Sequence, residues 1–384
     1  MLQQLISIAS YSKYEDGTAE AIERFLSKHG IKTERLLHNV WAVNRHFDTS
    51  KPSILLNSHH DTVRPNPQYT KDPFTPVIED GKLYGLGSND AGGCVVSLIA
   101  AFIFFYNKED LKYNLILAAT AEEEISGYNG IELLLGNKVF QTALNGEEPD
   151  FAIVGEPTKL DLAIAEKGLM VLDCTAHGKA GHAAREEGEN AIYKALKDIE
   201  WFRTYHFSRV SEWLGPVKMN VTVINTENKA HNTVPSLCNF VVDIRITELY
   251  THEEVFDTIR QNVESKVIPR SMRLRSTGID ENHPLVRAGI RLGKKCYGSP
   301  TSSDKALMPF PALKCGPGDS ARSHIADEFI YLNEIKGGIE GYVKMLEGWC
   351  RCGCRWQVTG CRLLVAGGKL LVTRLQLSSL MCNN

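Results

Sequence analysis

The stretch LILAATAEEEISG, Leu115 to Gly127, decides how this chain is read. An apolar run carries as far as Thr120 and Ala121, and three glutamates follow at once: Glu122, Glu123 and Glu124. A short run that is apolar on both faces marks a strand of a sheet covered by helices. Adjacent carboxylates repel one another, and burying one is costly unless positive charge compensates it. The question is what sits at the end of this strand.

The same kind of strand recurs on either side. SILLNS begins at Ser53 and FAIVGE at Phe151. Between them GGCVVSLIAAFIFF predicts a buried helix opening on two glycines. Residues 19–29 predict a helix with Ile22, Phe25 and Leu26 on one face and Gly30 as its stop. Strands alternating with helices make an α/β layer.

The pattern changes near Glu166. GLMVLDCTAHG, VKMNVTVINT and LCNFVVDIRIT read as strands, and ENAIYKALKDIEWF and THEEVFDTIRQNVESKV as helices. The second helix opens on a capping box, Thr251 with Glu254. MRLRS closes the series as a fourth strand. The order β-α-β-β-α-β is that of the ferredoxin-like unit. After GIDENHPL the chain returns to the first layer, with a helix over 284–297 and a strand at PALKCGPG. The expected fold is therefore α/β. A helix-covered, mostly parallel-sheet domain, 1–164 and 278–348, is interrupted by a ferredoxin-like insertion, 165–277.

Composition excludes several classes. Of 384 residues, 43% are hydrophobic and 23% charged, and the net charge of -3 leaves no footprint for nucleic acid. The run Cys94–Phe105 is short of the roughly 20 apolar residues that span a bilayer. The N-terminal residues lack a basic region and a cleavage signature, so the expectation is a cytoplasmic protein with no membrane partner. Cys94, Cys174, Cys238, Cys296 and Cys315 lie singly in apolar contexts and read as reduced. Residues 349–384 differ: they carry no Asp or Glu, and Cys350, Cys352, Cys354, Cys361 and Cys382 crowd there. CRCGC suggests a metal knuckle, but it lacks the paired C-x-x-C of a zinc site. The tail reads as foreign to the fold, as a shifted reading frame or read-through near Gly348 would make it.

In an open α/β sheet, sites form beyond the carboxyl ends of the strands. There this sequence places His59, His60 and Asp61 after SILLNS, Glu122–Glu124 after NLILAAT, and Glu156 after FAIVG. Asp90 precedes the glycine-led helix, and His324 follows PALKCGPGDSARS. Imidazole with carboxylate is the usual ligand set for zinc and similar divalent ions. One catalytic zinc takes three protein ligands, so this larger set suits two ions sharing a carboxylate, about 3.5–4 Å apart.

The segments SHHDTVRP, GLGSNDAGG, AEEEISG, VGEPT and GPGDSARSHIADE resemble, in order and context, the motifs of the zinc-dependent deacylases and exopeptidases. That family includes acetylornithine deacetylase, succinyl-diaminopimelate desuccinylase, aminoacylase and carboxypeptidase G. The resemblance covers residues 1–347. GEPT, and GPG followed by SHIADE, look most like acetylornithine deacetylase and its acylcitrulline-specific relatives. The resemblance implies that His59 and Glu156 hold one metal, Glu124 and His324 the other, and that Asp90 bridges them. Asp61 would orient His59, Glu123 would be the general base, and His60 would be structural. Glu122 stands where the family usually has Asp, which suggests a solvated or capping carboxylate. Ala91 departs from the Met-Lys that many relatives carry.

HGKAGHAAREEGENAI matches the motif whose last histidine, His182, reaches the partner subunit's active site to stabilise the oxyanion. Asn232 and Arg245 match substrate-associated positions, although Arg245 inside a strand equally suits an ion pair. The resemblance thus implies a homodimer formed through the inserted lid and two divalent ions, zinc with cobalt as a substitute. The implied reaction removes the acyl group of an N-acyl amino acid, with N-acetylornithine or acyl-citrulline of arginine biosynthesis foremost. Succinyl-diaminopimelate desuccinylase, aminoacylase and dipeptidase activities are the alternatives within the family. A catalytically silent metal-binding scaffold is the alternative outside it, opposed by the intact Glu123.

Overall fold

The computed structural model describes residues 1–350, 363–366 and 369–372. Cys352, Cys354, Cys361 and Cys382, and with them the CRCGC reading, lie outside the described residues. The chain divides into two compact units. Among the described residues, one holds Met1–Ile164, Ile279–Cys296 and those from Ser303 onward, and the other holds Ala165–Gly278 with Tyr297–Ser302.

The first unit is built on a sheet whose strands run in the order Glu34–Leu36, Asn39–Val43, Asn114–Thr120, Ser53–His59, Phe151–Val154, Ala312–Lys314, Leu162–Glu166. Its centre is parallel, and the pairings toward either side are antiparallel. Every residue of Ser53–His59 and Asn114–Thr120 is buried. Such strands need a helix layer on each face, which explains their unbroken apolar runs. The helix Gly93–Tyr106 packs against Leu332–Cys350 and fully buries Phe102 and Phe105. Together with the preceding turn it is long and apolar enough to cross a membrane, but 78% of it is buried inside the unit, so it is a core helix.

Two sequence expectations shift at their ends. The first amphipathic helix spans Asp16–Lys28, with Ile22 and Leu26 fully buried, and Gly30 at φ +71° turns the chain out of it. The helix expected over 284–297 stops at Arg291. Gly293 takes φ +78°, and its N–H and that of Lys294 close on the carbonyls of Ile290 and Gly289. Left-handed glycine ends a helix in this way, and Cys296–Ser299 is freed to form a strand.

The second unit is a four-stranded antiparallel sheet in the order Lys218–Thr226, Leu237–Ile246, Gly168–His177, Lys266–Pro269. With helices Ala191–Thr204 and His252–Asn262 it has the β-α-β-β-α-β order. Burial alternates along the central strands, as one covered face requires. The covered face joins Leu172, Phe240 and Val242 to Phe202 and Ile259 of the helices. Thr251 and Glu254 form the full capping box. The last strand is not MRLRS but KVIP, Lys266–Pro269. The chain re-enters the sheet directly after the helix, where Val267 pairs with Cys174 and packs on the core. Arg270 then closes on Asp173, and Met272–Ser276 follow as an irregular link.

Candidate metal centre

Parallel pairing sets His59 opposite Thr120 and Asn57 opposite Val154. The residues just beyond those positions, Asp61, Glu122–Glu124 and Glu156, therefore leave the sheet at one edge. Asp90 lies in the turn that enters Gly93–Tyr106, and its peptide to Ala91 is cis. His324 sits on a loop with φ +62°.

These side chains converge. His59 Nε2 lies 3.4 Å from Asp90 Oδ1, 3.8 Å from Glu156 Oε1 and 3.9 Å from Glu123 Oε2. His324 Nε2 lies 3.0 Å from Glu124 Oε2 and 3.5 Å from Asp90 Oδ2. Asp90 thus turns one oxygen to each histidine. Two donor groups result, His59–Glu123–Glu156 and His59–Asp90–Glu124. His59 Nε2 is buried and has no hydrogen-bond partner. A ring nitrogen without a proton partner, walled by carboxylates, fits a divalent cation. All five expected ligands are in this cluster, and Glu123 lies within it as well.

Electrostatics give the same account. Burial pushes the Glu156 carboxyl up to about 8, against the pull of Lys314 and His59. Burial likewise holds Glu123 well above the usual range, and the neighbouring Glu156, Asp304 and Glu124 add to it. His324 is raised to about 9, chiefly by its hydrogen bond to Glu124. Burial opposes charge on His59, but the Asp61 and Asp90 carboxylates outweigh it. Carboxylates this close cannot all ionise unless cations join them.

Asp61 is fully buried and does more than face His59. Its Oδ1 lies 3.3 Å from His59 Nδ1, while the backbone carbonyl of Asp61 is nearer that nitrogen, at 3.1 Å. Its carboxylate accepts from Ser12 Oγ at 2.7 Å and from the N–H groups of Glu123 and Glu124 at 3.1 and 3.2 Å. One side chain therefore ties the histidine strand to the glutamate turn. His60 is held between Thr18 Oγ1 and the His38 carbonyl, and burial lowers it to about 4, so it is neutral.

Glu122 is buried, which removes the solvated reading. Its residue is left-handed at φ +56°, and its carboxylate accepts from Asn129 Nδ2 at 2.8 Å and Asn129 N at 3.3 Å. It caps the following turn and belongs to neither donor group.

Two buried acids at the centre carry no reading from sequence. Asp304 accepts from Thr120 Oγ1 at 2.7 Å, and Thr120 Oγ1 accepts from Asn57 Nδ2 at 2.9 Å. Burial raises Asp304 to about 6. It follows no strand, so the strand-end argument passes it by. Glu328 binds the turn that carries Asp90; it lies within SHIADE, the segment that also holds His324.

In the second unit, His182 pairs with Thr233, and Ala183 N–H donates to the Asn232 carbonyl at 2.9 Å. His182 and Asn232 are thus neighbours, both exposed. Arg245 is elsewhere. Leu237 pairs with His177 at their end of the sheet, whereas Arg245 pairs with Leu169, eight residues along the strand, or roughly 25 Å. Its guanidinium is held by Asp243 at 2.8 and 3.0 Å. Arg245 is thus engaged in an ion pair within its own strand.

Residues 55–348 match the peptidase family M20/M25/M40. The chain belongs to this family. Succinyl-diaminopimelate desuccinylase from Orientia tsutsugamushi (strain Ikeda) is 27% identical over 69% of this chain and 70% of that protein. Succinyl-diaminopimelate desuccinylase 2 from Ruegeria sp. is 30% identical over 65% and 66%. The chain thus spans about two thirds of the length of these relatives. Among solved structures, aminopeptidase PepT from Bacillus cereus superposes with a TM-score of 0.71 at 18% identity, covering 90% of this chain and 96% of that one. A Bacillus subtilis protein described as a dinuclear metal-binding M20 peptidase superposes with a TM-score of 0.67 at 16% identity, covering 90% and 95%.

Proposed function

We propose that this M20 protein is a two-metal amidohydrolase acting on N-acylated amino acids. One observation carries the reading: the buried, unpartnered Nε2 of His59 among the carboxylates of Asp90, Glu123 and Glu156. In this reading His59 and Glu156 would hold one ion and Glu124 and His324 the other, with Asp90 serving both. Two divalent ions, zinc or in its place cobalt, would polarise the scissile carbonyl and acidify a water.

Glu123 takes the proton of the attacking water and returns it to the amine nitrogen as the C–N bond breaks. Asp61 keeps the His59 ring and the glutamate turn in one geometry. This intact base distinguishes the reading from a silent metal-binding scaffold.

The names of the curated relatives favour N-succinyl-diaminopimelate as substrate. They lend nothing to N-acetylornithine or acyl-citrulline, which the motif resemblance put first. The second unit supplies the rest of the proposal. We infer that it is a lid that pairs with a second copy, so that His182 serves the partner's site. Its edge strand Lys218–Thr226 exposes Val223 and Ile224, and the helix Ala191–Thr204 exposes Tyr193 and Leu196. Such apolar exposure on a sheet edge favours pairing.

The test is a panel assayed with metal-reconstituted protein: N-succinyl-diaminopimelate, N-acetylornithine, N-acetylcitrulline, N-acetylmethionine and a dipeptide. The expected result is turnover of an N-acyl amino acid, with the succinylated substrate fastest. Turnover of none of them would refute the reading.

A further inference from the structure

We propose that Glu328 is the positioning residue that holds Asp90 within reach of both metal positions; this rests on the two-metal reading above. Glu328 is 2% exposed, and its whole carboxylate is spent on the Asp90 turn. Oε2 accepts from Gly87 N–H at 2.9 Å, and Oε1 accepts from Asn89 N–H at 2.8 Å and Asp90 N–H at 2.9 Å. The backbone adds a further tie, from Gly85 N–H to the Glu328 carbonyl at 3.0 Å.

The turn needs this anchor because its own backbone bonds, Ser88 N–H to the Gly85 carbonyl at 3.1 Å and Gly92 N–H to the Gly87 carbonyl at 3.0 Å, leave the N–H groups of Gly87, Asn89 and Asp90 to Glu328. Asp90 sits at φ -116°, ψ 99° and Ala91 at φ -115°, ψ 31°, outside helical values. The N–H groups of Gly87, Asn89 and Asp90 converge on the two Glu328 oxygens and form a concave cradle around them. Buried N–H groups without an acceptor are costly, so removing the carboxylate would let the turn move until they find another.

The anchor also sets one ligand against another. Glu328 lies four residues beyond His324, and the intervening loop is pinned separately. Asp327 accepts from Thr70 N–H and Lys71 N–H, each at 2.9 Å. His324 Nε2 stands 3.5 Å from Asp90 Oδ2. One short loop thus delivers a ligand to the second ion and grips the turn that bears the shared one. Asp90 is the only expected ligand common to both ions. Loosening it should affect the ion held by Glu124 and His324 more than the ion that also has His59 and Glu156, since His59 and Asp61 are seated in the sheet edge.

The test is calorimetric titration of zinc into the chelator-treated full chain, with thermal unfolding measured alongside. Wild type should bind two equivalents. Glu328→Gln keeps the size but sets an amide NH₂ against a backbone N–H. It should bind the first equivalent as wild type does and the second about 10–100-fold more weakly, the range for lost partners behind a metal ligand. Glu328→Asp keeps the carboxyl group at a shorter reach and should fall between. If Glu328→Gln does not fold, Glu328→Asp carries the test by the same criterion. Wild-type affinity at both sites in these variants, or equal weakening of both sites, would overturn the proposal. Failure of the wild type to bind zinc would instead overturn the two-metal reading beneath it.

Discussion

At the scale of single residues, the glutamate run divides its labour by where each carboxylate points. Glu123 faces His59, Glu124 faces His324, and Glu122 turns back to cap Asn129. Glu123→Gln should lower turnover by about 10²–10⁴-fold, the usual weight of a general base, with metal content retained. Glu122→Gln should cost stability and leave turnover near wild type. The reverse pattern in steady-state assays would move the base by one position. The crowded acids also set a pH dependence for metal-free protein. Glu156 binds its proton up to about 8 when folded and only to about 4.5 when unfolded, so between these values the native state holds more protons. Stability must then fall as pH rises through that window. His324, raised to about 9 from 6.5, loses its contribution in the same direction above pH 6.5. The melting temperature of chelated protein should therefore decline from pH 5 to pH 8, and zinc should flatten the decline. A rising curve in chelator would contradict the assigned burial.

At the scale of elements, the turn Glu122–Gly127 is the tightest joint of the site. A Cβ on Gly127 would lie 2.0 Å from Glu122 Oε2 and 2.6 Å from Glu122 Cβ. Gly127→Ala should destabilise the protein by about 1–3 kcal/mol, as overpacking does, measured by urea unfolding. A neutral result would mean that the Glu122 cap is dispensable. The strands that lead to this joint were legible because buried parallel strands show unbroken apolar runs, and each ran straight into its ligand. Asp304 and Glu328 were not, because they act through loop contacts remote in sequence, with Thr120 and with Gly87–Asp90. MRLRS misled for a different reason. Its alternation suits a strand, but Val267 reaches the Gly168–His177 edge first. The helix over 284–297 was overrun because its apolar spacing continues past Gly293, whose left-handed backbone ends it.

At the scale of the whole molecule, His182 belongs to the second compact unit and the ligands to the first. If each His182 serves a partner's site, Glu123→Gln and His182→Ala homodimers should both be nearly inactive, since a missing oxyanion donor costs about 10²–10³-fold. Mixing them under subunit exchange should restore activity. Random pairing makes about half of the dimers hybrids, each with one intact site, so recovery near a quarter of wild type is expected. No recovery despite proven exchange would place His182 in its own subunit's site or outside catalysis. The two-metal centre underlies each of these roles, and its most direct test is metal content read against activity. Chelated, inactive protein should regain turnover as zinc is added and reach its maximum as bound metal approaches two equivalents per chain. Full turnover in protein holding no metal would contradict the account.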